Sequence, residues 1–111
     1  MVKRGDVAIV SAPGDYGKPR PAVVVQSNHL TQAGLESVVV CLLTSETGAA
    51  PMFRVEVEPT AENGLKNQSQ IMVEKLVTVR DSRITGVIGR LDDGKLLQLN
   101  RTLAFVLGLA E

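Results

Sequence analysis

The sequence predicts a mainly β protein with helices: a small, curved barrel of short, mostly antiparallel strands closed by a C-terminal α-helix. Three observations predict it. Apolar residues come in short runs and alternations separated by Gly, Pro and polar clusters, which is the pattern of strands and turns. From Asp93 the period changes, and Leu96, Leu99, Leu103, Val106 and Leu107 fall at three- and four-residue steps, the stripe of an amphipathic helix. The length, 111 residues, suffices for one domain with a hydrophobic core, and no repeat, low-complexity tract or linker divides it. One domain over residues 1–111 is expected.

The elements follow in order. Asp6 to Ala12, "DVAIVSA", alternates between Gly5 and Pro13 and reads as a first strand. Residues 13–19, "PGDYGKP", are dense in Gly and Pro and form a loop. Pro21 to Ser27 is a second strand, and residues 28–36 a polar loop or a single helical turn. Ser37 to Leu43, "SVVVCLL", is continuously apolar, as expected of a strand buried on both faces, and stops at Thr44-Ser45. After the loop "SETGAAP", Phe53 to Glu58 alternates strictly, with Phe53, Val55 and Val57 on one face. Asn63-Gly64 favours a turn with positive φ. Ser69 to Arg80 is one bent strand or two short ones. Ile84 to Leu91 contains Gly86 and Gly89, which suggest a bend or a close backbone approach. Asp92 is placed to cap the terminal helix, where its charge suits the helix dipole.

Composition narrows the function classes. Aromatic residues are 3% of the chain and Trp is absent, so the core is built from Val, Leu, Ile and Ala, and a platform of stacked aromatic rings is disfavoured. Twelve basic residues balance 12 acidic ones, so affinity for nucleic acid has to come from local clustering of charge. Cys41, the single cysteine, lies in an apolar run and reads as a buried structural residue without a disulfide. With His29 as the single histidine, zinc sites are short of ligands and no metal or cofactor is expected. No apolar run approaches the ~18 residues of a membrane span, so a soluble cytoplasmic protein with no membrane partner is expected.

Arg20 is unusual. It stands at the mouth of the second strand between Pro19 and Pro21, which fix φ on either side of it. A guanidinium held this stiffly suits a phosphate, because its planar fork matches two oxygens. An ordinary surface ion pair at a strand end is the competing reading. For Thr44, followed by Ser-Glu, the competing reading is turn chemistry.

"KRGDVAIV", "RPAVVVQSN", "VVVCLLTSE" and "IMVEKLVTV", with "RIT..IGRLD" before the final helix, occur in an order that resembles the MazF/PemK/Kid toxins over residues 3 to 108. The resemblance implies an SH3-like barrel, a homodimer, and metal-independent, sequence-specific cleavage of single-stranded RNA by the toxin of a type II toxin–antitoxin system. It assigns catalysis to Arg20 and Thr44, with weaker support for Glu74 as the base; Asp15 and His29 are further candidates. Asp15, Tyr16 and Lys18 fall on the loop that covers the site in the family, and Tyr16 could stack on a base. Ser45, Phe53, Arg80 and Arg83 complete the RNA-contact candidates; for Phe53 the core, and for the two arginines a charge cluster at a turn with Asp81, are the plainer readings. The implied partners are single-stranded RNA and an antitoxin whose acidic, partly disordered segment occupies the RNA groove, and the pair is expected to bind DNA. The first loop is shorter than in many relatives and lacks their usual Gly and Gln before Arg-Pro, and "SETGAAP" carries no basic residue. Two other classes remain: a gyrase poison of the CcdB type, which shares the fold but often uses a C-terminal Trp absent here, and a non-catalytic SH3-like interaction module.

Overall fold

The computed structural model describes residues 1–14, 17–109 and 111. Six strands form one antiparallel sheet: β1 (Asp6–Val10), β2 (Arg20–Val24), β3 (Ser37–Thr44), β4 (Arg54–Val57), β5 (Ser69–Arg80) and β6 (Ile84–Arg90). Their order across the sheet is β4-β5-β3-β2-β1-β6. A short helix, α1 (Asn28–Gln32), links β2 to β3, a 3-10 turn over Asp81–Arg83 links β5 to β6, and α2 (Asp93–Val106) follows β6.

Strand limits depart from the sequence expectation by one to three residues, for identifiable reasons. β2 ends at Val24 because the N–H groups of Val25 and Gln26 both donate to the Val39 carbonyl, which halts the regular ladder. Ser27 then accepts the His29 N–H and starts α1, so it caps a helix instead of ending a strand. Phe53 lies in the turn before β4 and is half-buried, whereas Val55 and Val57 are buried as expected.

Both faces of the sheet are apolar, which accounts for the unbroken runs in β2 and β3. One face gathers Val7, Val23, Cys41, Leu43, Val55, Ile71 and Val73 with Leu99 of α2. The other gathers Ala8, Val10, Ala22, Val24, Val40, Leu42 and Val79. Asp92 caps α2 as expected, its Oδ1 accepting the Lys95 N–H at 2.8 Å. Leu96, Leu103 and Val106 pack against the first core, but Leu107 ends the helix and is exposed. Burial pushes the Cys41 thiol up to about 12, so no thiolate is available there at neutral pH.

β5 is one strand with a sharp irregularity. Cys41 pairs with Leu76 and Leu43 with Ile71, so Met72–Lys75 stand opposite Leu42 alone. The extra residues bend the strand and re-aim Glu74. β6 slips register against β1 twice, which bears out the bend read from its glycines. The close approach is at Gly89, where a Cβ would sit 2.3 Å from the Glu62 carbonyl oxygen; nothing lies within 4 Å of one at Gly86. The Arg90 N–H donates to that carbonyl at 3.0 Å, tying the turn after β4 to the far edge of the sheet. Asn63 shapes this turn: its Oδ1 accepts the Thr60 and Leu65 N–H groups and its Nδ2 donates to the Glu58 carbonyl.

Candidate active site

Arg20 and Thr44 come together at the end of the β2–β3 pairing, where Pro21 stops the ladder. β2 pairs with β3 from Ala22↔Leu42 through Val24↔Val40. Pro21 has no N–H with which to extend that ladder. Carrying the register two residues beyond Ala22↔Leu42 sets Arg20 opposite Thr44, at strand ends just past the last rung. There they line a cleft of ≈ 570 Å³ with Ser45, Glu46, Lys66 and Asn67. Leu65 and Asn67 follow the Asn63–Gly64 turn, whose attachment to β6 folds this segment back over the strand ends.

The Thr44 hydroxyl is oriented. Its Oγ1 accepts the Glu46 backbone N–H at 3.1 Å, an ST-turn that leaves the O–H proton to donate elsewhere. Glu46 is the one carboxylate bordering the cleft among the described residues.

Glu74 does not border the cleft. It is gripped by Arg54: Nη2 to Oε2 is 2.6 Å, and Nε lies 3.0 Å from Oε2 and 3.3 Å from Oε1. Desolvation alone would raise the Glu74 carboxyl, but the Arg54 hydrogen bonds and charge outweigh it and the net shift is downward, which makes it a weaker base. Arg54 Nη1 also reaches Gln70 Oε1 at 3.5 Å, and Gln70 Nε2 donates to the Gly48 carbonyl at 3.1 Å.

The remaining candidates scatter. Arg80 and Arg83 border a separate cleft of ≈ 560 Å³ with Ser11, Gly14 and Gly17. Lys18 is exposed next to Pro19, and Phe53 precedes Arg54. His29 lies exposed on α1 and borders neither cleft. Asp15 and Tyr16 lie outside the described residues. No cluster of three or more His, Cys, Asp or Glu side chains assembles among the described residues, and none of their helices is long and apolar enough to cross a membrane.

The sequence reading missed Glu46, Lys66, Asn67, Arg54 and Gln70. Glu46 had a usable signal in its position two residues after a strand-end threonine, the spacing of an ST-turn. The others depend on the fold-back of the turn after β4 and on the irregularity in β5, neither of which leaves a local pattern.

The family model described as a PemK-like, MazF-like toxin of type II toxin–antitoxin systems matches residues 3–107. The chain belongs to this PemK/MazF-like toxin family. It is 37% identical over 110 residues to the probable endoribonuclease MazF of Mycolicibacterium smegmatis, covering 98% of this chain and 99% of that protein. It is 27% identical to the endoribonuclease EndoA of Bacillus subtilis, covering 100% of this chain and 98% of that one. Among solved structures, a mycobacterial endoribonuclease in complex with its cognate antitoxin superposes with a TM-score of 0.83 at 20% identity, covering 98% of this chain and 97% of that one. The Mycobacterium tuberculosis toxin MazF-mt6 superposes with a TM-score of 0.77 at 19% identity, covering 93% of this chain and 96% of that one. At these identities the superpositions establish the shared fold.

Proposed function

We propose that this protein is the toxin of a type II toxin–antitoxin pair and cleaves single-stranded RNA endonucleolytically, without a metal and at a short sequence motif. The observation that carries the reading is the meeting of Arg20 and Thr44 in one open cleft, in a chain whose relatives are named endoribonucleases. The RNA's own 2′-hydroxyl attacks the adjacent phosphorus. Glu46 takes the hydroxyl proton, being the carboxylate that borders the cleft. Arg20 meets the charge that develops on the crowded phosphorane, and its permanent charge suits that task better than proton donation. Thr44 donates its hydroxyl to the same phosphate. The P–O5′ bond breaks, the leaving oxygen takes a proton from water, and the products are a 2′,3′-cyclic phosphate and a 5′-hydroxyl. Ser45, Lys66 and Asn67 border the path of the flanking nucleotides.

The finer architecture supports this reading. The sheet is open in its strand order, and the hydrogen bond from Arg90 to the Glu62 carbonyl, which links the turn after β4 to the opposite edge strand, supports the curvature of an SH3-like barrel. Phe105, Leu107 and Leu109 leave apolar surface at the end of α2, which suits a homodimer. An acidic antitoxin segment lying in the cleft would occlude Arg20. Incubation with a long single-stranded RNA in EDTA, with cut ends mapped by primer extension, tests the proposal. Discrete cuts are expected. Intact RNA with folded protein would overturn it and turn attention to gyrase supercoiling and to non-catalytic binding.

A further inference from the structure

We infer that Glu74, Arg54 and Gln70 form a positioning relay that holds the loop of residues 45–51, and with it the Thr44–Glu46 wall of the cleft. The inference rests on the endoribonuclease reading. It gives Glu74 a role that does not require contact with substrate.

The loop is fastened at three points. At its start the Glu46 N–H donates to Thr44 Oγ1, and at its end the Arg54 N–H donates to the Pro51 carbonyl at 2.9 Å. Between these, every residue from Ser45 to Ala50 is exposed, so no apolar packing fixes the middle. Gln70 Nε2 ties the middle by donating to the Gly48 carbonyl at 3.1 Å. Gln70 is 1% exposed, and an amide that deep is retained only where its groups are paired. Its amide orientation suits both neighbours: Nε2 donates to Gly48 at 3.1 Å, and Oε1 faces Arg54 Nη1 across a longer contact of 3.5 Å. Arg54 is in turn oriented by Glu74, which takes both Nε and Nη2. The irregularity in β5 at Met72–Lys75 aims Glu74 at Arg54.

The relay persists at neutral pH. The Glu74 carboxyl titrates below its ordinary value, so the pair's contribution is present above the ordinary glutamate range and is lost only as pH falls through the lowered value.

The test uses Glu74→Gln, Gln70→Leu and the double variant, each confirmed folded by urea unfolding. Two readouts are compared: single-turnover cleavage followed across pH, and hydrogen exchange of the amides at residues 45–50. Each single variant is expected to lower the saturating single-turnover rate by about 10-fold with half-saturation little changed, and the double variant also by about 10-fold in total, not 100-fold, because both cut one chain. Exchange in the loop should rise by about the same factor in all three. Additive losses of the single-turnover rate, unchanged loop exchange, or a Glu74→Gln pH–rate profile that loses only its acid limb would overturn the relay; the last would make Glu74 the base. Loop exchange is read without RNA, so a parent protein that fails to cut RNA would sink the ribonuclease reading while the relay is still judged.

Discussion

Arg20→Ala is expected to slow RNA cleavage by ~10²- to 10³-fold, the usual consequence of removing one charge-stabilising donor from a reacting phosphate or acyl group. The reason lies in the geometry of the strand ends. Pro21 ends the β2–β3 ladder, so Arg20, still paired with Val10 of β1, borders the cleft beside Thr44 without a rung to β3. The arginine's contribution is a fork of fixed shape as much as a charge. Arg20→Lys keeps the charge and loses the fork, so its rate should fall between parent and Ala. Thr44→Val keeps the volume but removes both the hydroxyl donor and the acceptor of the Glu46 N–H, and a loss of ~10²-fold is expected. Single-turnover rates on one RNA, with urea unfolding of each variant alongside, separate loss of chemistry from loss of fold. An Arg20→Ala protein that cuts at the parental rate contradicts the assignment.

Gly64→Ala is expected to destabilise the protein by at least ~3 kcal/mol, enough to lower Tm by on the order of 10–20 °C. Two penalties coincide there. Gly64 sits at φ +70°, where a side chain is disfavoured. A Cβ would also lie 2.2 Å from the Ile88 carbonyl oxygen and 2.9 Å from its carbon, both backbone atoms that cannot swing away. Relief requires the turn to lift off β6, and that turn leads into the segment carrying Lys66 and Asn67 into the cleft. Gly86→Ala is the matched control: nothing lies within 4 Å of the added carbon, so a change within about 0.5 kcal/mol is expected. Equal losses at the two glycines, measured by thermal or urea unfolding, would contradict this account of the turn.

The contrast between these glycines shows where sequence reading works and where it stops. Strand identities were legible because their cause is local: the runs in β2 and β3 and the alternation around Val55 and Val57 report burial directly. The period of α2 and its cap at Asp92 were legible for the same reason, whereas Leu107 matched the helical spacing and still came out exposed because the helix ends there. Gly86 and Gly89 look alike in the sequence, and only the path of the turn after β4 separates them. Arg20 was marked by its own neighbours, a proline bracket, whereas Thr44 read locally as turn chemistry and was singled out by the family resemblance. Glu74 was marked too, but its environment depends on the irregularity in β5, which brings Arg54 to it from another strand. Gln70 gave no signal, since a polar residue inside an apolar strand has meaning only once Gly48 and Arg54 are in place.

The chemistry at the centre of this reading is tested most directly by a single substitution in the substrate. Once a cut site is mapped, one short RNA is made with its 2′-hydroxyl at the scissile nucleotide and a second with 2′-deoxy at that position alone. Both are incubated with the protein in EDTA, and the products are weighed by mass spectrometry. Cleavage of the first, leaving a 2′,3′-cyclic phosphate and a 5′-hydroxyl, with the second intact, is the expected result. Cleavage of the deoxy substrate at the same bond, or ends carrying a 5′-phosphate, would contradict attack by the substrate's own hydroxyl.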